Sequence, residues 1–435
     1  MTDGPRRQVL SGGTVLTMNP RDEVWAPGMV VIEGPSIVHV GPEGSAPALA
    51  GDALVDCRGL LLMPGLVNTH THTCAVLFRG LAEDRTREAW ARYTLPDQER
   101  MTGEDYYWGA LLGALEMLLN GVTCTADRFS FMGRCAEALD RSGIRAVVGE
   151  TLFDLDRPLE WDRARALIER WGTSPAGRIR AGLAPHAPDT CSADLLRRVR
   201  DFADSTGARV FIHCAQSEAE VAAMRARGHP GSVHALDAVG LLGPDVVAAH
   251  CIHVGVGEIR RLAETGTWVA HCPVSNAKTE GRLPPMPAML AAGVRISLGT
   301  DWAPANNGMD LFDEMKAAGV LNKLAASDPS ALGVESLLAM ATVGGARALG
   351  LGDVIGSLER GKRADVVALA MDQAHLVPWH RVAANLVYSA KGQDVRHVWV
   401  DGRWLVRDRR TTAVDAAEVR EEVARIWRRL REAQT

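Results

Sequence analysis

The chain has 435 residues, of which 47% are hydrophobic and 23% are charged, and its formal net charge is −5. This composition is typical of a globular protein and excludes collagen, coiled coil or disorder as the main architecture. The mild acidity argues against nucleic acid as a partner and gives no electrostatic reason to bind an anionic membrane. With no membrane-length apolar run and no CxxC pair among eight cysteines, the sequence predicts a cytoplasmic protein with reduced cysteines.

Both ends of the chain are rich in short β-strand patterns that glycines interrupt. Examples are MVVIEG near the start and ADVVALAM near the end. We therefore predict that residues 1–61 and 361–415 pair into one small, composite β-sandwich domain. The final segment, 416–435, has the charge pattern of an amphipathic surface helix.

Between these ends, eight strand-length apolar runs alternate with helix-like segments. In chain order they are LLMPGLVNTHTH, GVTCTADRF, IRAVVGETLFD, IRAGLAPHAPD, RVFIHCAQS, VVAAHCIHV, WVAHCPVSN and RISLGTD. Continuous apolar strands that alternate with helices indicate a parallel sheet covered on both faces. Eight such units predict an α/β fold with a (β/α)8 TIM barrel over residues 62–360. An open doubly wound sheet is the alternative, which the lack of a GxGxxG or P-loop motif weakens.

Nearly every predicted barrel strand ends in a side chain that can bind a metal ion or carry a proton. In chain order these are His70 and His72, Asp127, Glu150, His186, His213, His250, His271 and Asp301. The carboxyl ends of barrel strands surround the active site in this fold. The pattern therefore predicts one polar mouth.

The strongest local signal at this mouth is the pair His70 and His72, whose side chains face the same side of a strand. Two buried imidazoles are costly to charge, and a shared divalent cation removes that cost. Together with His213 and Asp301, they predict a catalytic Zn²⁺ site, with Fe²⁺ or Mn²⁺ as compatible ions. Such an ion lowers the pKa of a bound water, and His250 is predicted to orient that water or move protons.

The motifs MPGLVNTHTH, RGLAED, GVTCTADRF, GLAPHAPD, HCPVSNAK, GTDWAPANNGMDLFDEM and GSLERGKRADVVAL occur in this order. This series resembles the amidohydrolase superfamily, and within it the metal-dependent deaminase and chlorohydrolase branch. That branch includes adenosylhomocysteine deaminases and s-triazine hydrolases. The resemblance covers almost the whole chain and implies a barrel with a composite β-sandwich, often in homo-oligomers. It also implies one metal ion on His70, His72, His213 and Asp301. Asp301 would accept a proton from the attacking water, and His250 would assist.

One departure from the family pattern concerns the mechanism. Deaminases of the family carry His-x-x-Glu, where the glutamate protonates the ring, whereas this chain has Gln216 three residues after His213. A glutamine orients groups by hydrogen bonds but cannot shuttle a proton. Three interpretations stay open: Gln216 orients a substrate that needs less ring protonation, Glu218 or another carboxylate takes over, or catalysis is lost.

Further residues are predicted to contact the substrate. His186 is one, whereas His271 is predicted to have a structural or supporting role. The acidic Glu150 favours a cationic or amine-rich substrate and argues against adenosylhomocysteine. Trp302 is predicted to form an aromatic wall, and Trp90 to cap the site from a long loop.

The sequence thus predicts a metal-dependent aminohydrolase, a deaminase that displaces ammonia or an amine from a small heterocycle. The ring would be purine-, pterin- or triazine-like. One alternative is a hydrolase of a cyclic amide or another C–N bond. The other is a non-catalytic scaffold that binds a metal and a heterocycle.

Overall fold

The computed structural model describes residues 7–81, 83–85, 98–155 and 158–432. The strands of these residues are β1 Gln8–Leu16, β2 Val24–Glu33, β3 Ser36–Pro42, β4 Ala53–Asp56, β5 Leu60–Pro64, β6 Leu66–His72, β7 Val122–Phe129, β8 Arg145–Leu152, β9 Ile179–Ala181, β10 Ala184–Pro185, β11 Val210–Cys214, β12 Val246–His250, β13 Trp268–His271, β14 Arg295–Leu298, β15 Asp301–Trp302, β16 Val366–Ala370, β17 Val395–Val400, β18 Arg403–Arg407 and β19 Arg410–Thr411.

The helices lie mainly between the strands in the middle of the chain, which makes the fold a mixed α/β fold. Those of the described residues are α1 Gly103–Leu119, α2 Met132–Ser142, α3 Trp161–Trp171, α4 Ala193–Thr206, α5 Glu218–Ala226, α6 Ser232–Ala238, α7 Val256–Thr265, α8 Pro273–Glu280, α9 Met286–Ala291, α10 Ala303–Asn306, α11 Leu311–Ala326, α12 Val334–Met340, α13 Val343–Ala348, α14 Val382–Tyr388 and α15 Ala416–Glu432. Short 3-10 helices occur at Thr73–Phe78 and Gly392–Asp394. No described helix has both the length and the apolar character needed to cross a bilayer.

The middle of the chain pairs its strands in parallel and in chain order. β6, β7 and β8 pair successively, β9 and β10 pair with β8, and a bridge between Leu183 and Val210 leads to β11. β11 to β14 then pair in order, and β15 pairs with β6. Because β15 follows β14 in the chain and pairs with β6, the order of the parallel strands leads from β6 through β14 and back to β6.

Alternate residues of these strands enter two different apolar clusters. The inner cluster contains, from the strands, Val67, Cys124, Ala126, Val147, Phe211, Val247, Ala249, Trp268 and Ala270. Their neighbours, such as Val148, Ile212 and Val269, pack in a larger cluster with the helices. Because side chains alternate along a strand, even-numbered residues of β7 face inward, and in β8 the odd-numbered residues do.

Strands β6 and β14 approach each other closely, which brings the ends that carry His70 and Asp301 together. A Cβ on Gly299 would lie 2.8 Å from the Cβ of His70 and 2.9 Å from its backbone nitrogen and oxygen. Only glycine permits this approach. Asn68 donates to the Thr300 hydroxyl at 2.8 Å across the same seam.

The two ends of the chain pair into one nine-stranded sheet. Its order is β19-β18-β17-β16-β5-β1-β2-β3, with β4 paired to β1. The antiparallel contact of β5 with β16 joins the first part of the chain to the last. A buried arginine ties this sheet to the parallel strands. Arg145 on β8 donates to Asp365 at 2.9 and 3.0 Å and to Asp401 at 2.6 Å.

Breaking that ion pair tests how strongly the two sheets depend on each other. Arg145→Met leaves the buried Asp365 carboxylate without its charge partner, a loss that typically costs about 3–5 kcal/mol of unfolding free energy. Urea unfolding measures it. Arg165→Met, at an exposed helix position paired to Asp162 and Glu169, is the control and should change the free energy by less than about 0.5 kcal/mol. Equal effects of the two variants would refute the role of Arg145.

Candidate metal centre

Four of the parallel strands, β6, β11, β12 and β15, bring five polar side chains to one point. His70 and His72 end β6, His213 lies on β11, His250 ends β12, and Asp301 begins β15. All five are buried, with exposed fractions of 4–6%. The backbones of His250 and Asp301 have φ angles of 74° and 62°. This left-handed region is unfavourable for residues other than glycine, and such residues concentrate at functional sites.

The nitrogen and oxygen atoms of this cluster lie within the span of a single ion. One ligand atom from each of His70, His213, His250 and Asp301 lies within 4.8 Å of all the others. The Asp301 Oδ1 atom is 3.3 Å from Nε2 of His70 and 3.3 Å from Nε2 of His72. The predicted ligand set therefore meets at one place, and His250 joins it more closely than the sequence indicated.

Burial sets the charges of the cluster. It lowers the pKa of His70 to about 3 and that of His213 well below its usual range, where the cationic Arg128 lowers it further. Burial alone would raise the pKa of Asp301, but the contacts from His70 and His72 hold it well below its ordinary value. At neutral pH His70 and His213 are therefore neutral imidazoles, and Asp301 is an ionised carboxylate.

Three further contacts orient the cluster. Nδ1 of His72 lies 2.5 Å from the Arg128 carbonyl oxygen, Nδ1 of His250 lies 2.9 Å from Oδ1 of Asn276, and Ser275 donates to Oδ2 of Asp301 at 2.5 Å. Partners of this kind fix the ring orientation of metal-binding histidines. Ser275 and Asn276 lie in the motif HCPVSNAK, but their contacts could not be predicted from it, because only the fold shows that α8 faces β12 and β15.

These residues fit a divalent cation. Nδ1 of His72 can only donate to a carbonyl oxygen, so in the neutral ring Nε2 carries a lone pair that faces the Asp301 carboxylate. A cation between them removes this repulsion. The 3.3 Å separations of Oδ1 from the two imidazole nitrogens are a spacing that ligand atoms of one zinc ion would have.

A cavity of about 680 Å³ opens beside the cluster. Its walls include His186 and Gln216, both predicted to contact the substrate, and the polar residues Glu218, Glu280 and Arg282. The ring of His186 packs 4.9 Å from that of His213, centroid to centroid. His186 therefore stands between the histidine cluster and the open cavity.

Two carboxylates lie near Gln216 in the sequence, and neither joins the histidine cluster. Glu218 is exposed at the outer cavity wall. Glu220 is buried, and its oxygens accept the backbone N–H groups of Ala215 at 2.6 Å and Gln216 at 3.0 Å. Burial raises the pKa of Glu220 to about 7. Glu220 thus stabilises the backbone of this loop, and Gln216, three residues after His213, has no carboxylate in its place.

Glu150 lies elsewhere than the sequence analysis assumed. It is an even-numbered residue of β8, so it faces outward, and its carboxylate accepts the backbone N–H groups of Phe131 at 3.0 Å and Met132 at 2.7 Å at the start of α2. Burial raises its pKa to about 7. The expectation of a cationic substrate, and the argument against adenosylhomocysteine, therefore lose their basis.

The remaining predicted residues also have definite places, except one. His271 faces outward from β13, 3.3 Å from the Asn322 amide, and burial lowers its pKa to about 3. Asp127 accepts the backbone N–H of Thr73 at 2.8 Å. Trp302 is half-buried and packs against Ala305, and its contact with substrate stays a prediction. Trp90 lies outside the described residues.

Comparisons with known proteins agree with this geometry. The model of the amidohydrolase family matches residues 61–405. A 5'-deoxyadenosine deaminase of Methanosarcina mazei is 41% identical over 95% of this chain and 96% of its own length. A 5-methylthioadenosine/S-adenosylhomocysteine deaminase of Syntrophobacter fumaroxidans is 39% identical over 97% and 98%.

Solved structures are similar over nearly the whole chain. An adenosine deaminase from Xanthomonas campestris, crystallised with zinc, has a TM-score of 0.94 at 33% identity and covers 98% of this chain and 99% of its own. An atrazine chlorohydrolase from Arthrobacter aurescens, also with zinc, has a TM-score of 0.89 at 23% identity and covers 97% and 100%. The latter supports the fold alone.

The contact between Ser275 and Asp301 gives a test of the metal centre that leaves every predicted ligand in place. Ser275→Ala removes a hydrogen bond to a ligand oxygen, and losing such a supporting contact typically costs about 10–100-fold in metal affinity. Competition against a chromophoric chelator measures it. Asn322→Ala, which disturbs only the neighbourhood of His271, should keep the wild-type affinity. An unchanged affinity in Ser275→Ala would argue against a metal at Asp301.

Proposed function

The chain belongs to the amidohydrolase family, and we propose that it is a metal-dependent aminohydrolase that releases ammonia or an amine from an electrophilic carbon of an N-heterocycle. The observation that carries this proposal is the buried cluster in which histidine nitrogens lie within 4.8 Å of an oxygen of the ionised Asp301. Its relatives at about 40% identity are deaminases of adenosine-like compounds over nearly their whole length. The family and these relatives together show that the protein is a hydrolase that acts on C–N bonds.

We propose that His70, His72, His213 and Asp301 hold one divalent ion, and that this ion is Zn²⁺. The zinc in the similar adenosine deaminase structure supports this choice, although Fe²⁺ and Mn²⁺ accept the same ligand types. When bound, such an ion lowers the pKa of water and polarises the group under attack.

The residues of the chain then have distinct tasks. Asp301 stays ionised and is the base that takes a proton during hydrolysis, while the Ser275 hydroxyl holds its second oxygen in place. His250, whose Nδ1 is held by Asn276, presents its other nitrogen to the cluster and moves protons there. His186 separates the cluster from the cavity and is the residue against which the heterocycle packs.

Gln216 gives the site a different proton balance from that of a His-x-x-Glu deaminase. Its amide hydrogen-bonds a ring edge but supplies no proton, so the substrate must tolerate negative charge on the ring or carry its own acidic hydrogen. The same residue favours a second candidate function, the hydrolysis of a cyclic amide, because an amide needs no ring protonation before attack. A non-catalytic scaffold is the third candidate and is the least compatible with an intact cluster.

Adenosine derivatives are the first substrates to test. The deaminases of 5'-deoxyadenosine and of methylthioadenosine and adenosylhomocysteine support this class by their similarity. The position of Glu150 removes the electrostatic objection to adenosylhomocysteine. Pterins and triazines stay in the panel because the cavity beside His186 has room for other rings.

We also propose the wider organisation that the sequence suggested. Residues 62–360 would form a (β/α)8 barrel, and 1–61 with 361–415 a β-sandwich, which the strand pairings support. A cytoplasmic location is supported by eight cysteines that are all free and buried. The partner would be a small-molecule substrate rather than nucleic acid or membrane, and a homo-oligomer is expected by analogy with the family.

Ammonia release tests the reaction directly. We expect the metal-loaded protein to release ammonia from at least one aminopurine nucleoside, pterin or triazine, and the chelator-treated protein to release none until metal is restored. Asp301→Asn should lower the rate by several orders of magnitude, because it removes both the base and a ligand charge. Carboxylate product without ammonia would favour cyclic amide hydrolysis. If the metal-loaded protein turns over no compound of the panel, the proposal is contradicted.

Gln216→Glu tests whether this side chain faces the reacting ring. The substitution adds a group with an ordinary pKa near 4.3 that can donate a proton when protonated. We therefore expect a new ionisation in the pH profile of kcat/KM and a changed preference among the panel rings. Glu169→Gln, at an exposed position of α3, is the control and should leave the profile unchanged. Superimposable profiles of Gln216→Glu and wild type would place residue 216 outside the reaction.

A further inference from the structure

A buried arginine faces the interior of the parallel ring beside the histidine cluster. Arg128 is an even-numbered residue of β7, like the inward-facing Cys124 and Ala126, and only 2% of it is exposed. Its guanidinium Nη1 lies 3.3 Å from the carbonyl oxygen of His186. The charge is near enough to lower the pKa of His213. Arg128 therefore lies close both to the backbone of His186, the predicted substrate contact, and to His213 of the cluster.

This guanidinium has unused hydrogen-bond donors. Among the described residues no carboxylate forms an ion pair with Arg128, and its Nε and Nη2 atoms have no hydrogen-bond partner. Burial lowers its pKa to about 10, so it stays charged at neutral pH. A buried charge without a partner is costly, and buried unpaired donors in a folded protein call for an explanation.

Of the two other deeply buried arginines of these strands, Arg145 differs in this respect, whereas Arg180 also has an Nε without a hydrogen-bond partner and no ion pair among the described residues. Arg145 is paired with Asp365 and Asp401. Arg180, on β9, donates through Nη2 to the Leu349 carbonyl oxygen beside the inner apolar cluster. Its two carboxylate partners therefore explain why Arg145 is buried, whereas no described carboxylate explains the burial of Arg128.

We propose that Arg128 is a specificity-determining residue that binds an anionic or carbonyl oxygen of the substrate. This inference rests on the proposed function, because it assigns the substrate class of the same site. The oxygen is either an oxo group of the heterocycle or a carboxylate on its substituent, and the depth of Arg128 beside His186 and His213 favours the ring.

The chemistry of the site gives this contact a purpose. Attack by the oxygen of water on a ring carbon forms a C–O bond and pushes an electron pair onto a ring nitrogen or a conjugated exocyclic oxygen. The pair returns when the C–N bond to the amino group breaks, and ammonia leaves with a proton that Asp301 and His250 carry from the water. Where a glutamate is present, that position can be protonated, but Gln216 supplies no proton. A fixed cation stabilises the developing negative charge without transferring a proton, which is how preorganised donors act on a transition state. A ring that carries an oxo group as well as the leaving amino group therefore suits the pair Gln216 and Arg128 better than a ring that carries amino groups alone.

Binding to matched ligand pairs tests the inference independently of turnover. Isothermal titration of the metal-loaded full-length protein compares guanine with 2,6-diaminopurine for a ring oxygen, and S-adenosylhomocysteine with 5'-methylthioadenosine for a carboxylate. We expect the wild type to prefer the oxygen-bearing member of at least one pair by tenfold or more, and the affected pair identifies the source of the oxygen. Equal affinities within both pairs would overturn the inference.

Variants separate a substrate contact from a structural role. Arg128→Met should reduce the preference to less than threefold, while Arg128→Lys should keep the charge and lose part of the preference, because lysine lacks the planar fork. Arg180→Met removes a comparably buried cation and should leave the preference intact, whatever its thermal stability. An unchanged preference in folded, metal-loaded Arg128→Met would overturn the inference. If that variant does not fold, wild-type affinities in Arg128→Lys would overturn it.

These experiments distinguish failure of the inference about Arg128 from failure of the proposed aminohydrolase function. Loss of oxygen-dependent binding in Arg128→Met, with no turnover by any form of the protein, would support Arg128 and count against the aminohydrolase. Turnover with a preference that Arg128→Met leaves unchanged would support the aminohydrolase and overturn the role of Arg128.

Discussion

The organisation of the site depends on the close approach of β6 to the strand that ends at Asp301. Gly299 allows the backbone there to contact His70, and the pairing of β15 with β6 then puts the Asp301 carboxylate against two imidazoles of the same strand. Such a carboxylate is costly to bury unless it has charged or polar partners. The ring of strands therefore creates an anionic point that a cation neutralises, and the other histidines converge on it.

Much of the surrounding structure supports this one contact. Ser275 and Asn276, at the start of α8, hold Asp301 and His250 from the side. The carbonyl oxygen of Arg128 orients His72, while the side chain of the same residue points inward. The left-handed backbones of His250 and Asp301 are held by this packing. Arg128 therefore contributes its backbone to the orientation of His72, and its buried side chain lies near His186.

The sequence predicted the eight strands and the polar ends because parallel strands are apolar and end at one mouth. It placed His70, His213 and Asp301 together by the same argument. It could not tell which face each side chain takes, because a strand buried on both faces has no hydrophobic alternation. Glu150 was therefore assigned to the pocket although it faces α2, and Arg128 was passed over in favour of Asp127, which faces outward. The supporting contacts of Ser275 and Asn276 depend on tertiary packing that no local pattern encodes.

The central claim is that one divalent ion binds where Asp301 meets the histidines. Anomalous-scattering diffraction from crystals of the zinc-loaded protein tests it most directly. We predict a single strong peak per chain, within bonding distance of Asp301 Oδ1 and of the His70 and His72 rings. A zinc-loaded crystal with its anomalous peaks elsewhere, and none among these side chains, would contradict the account.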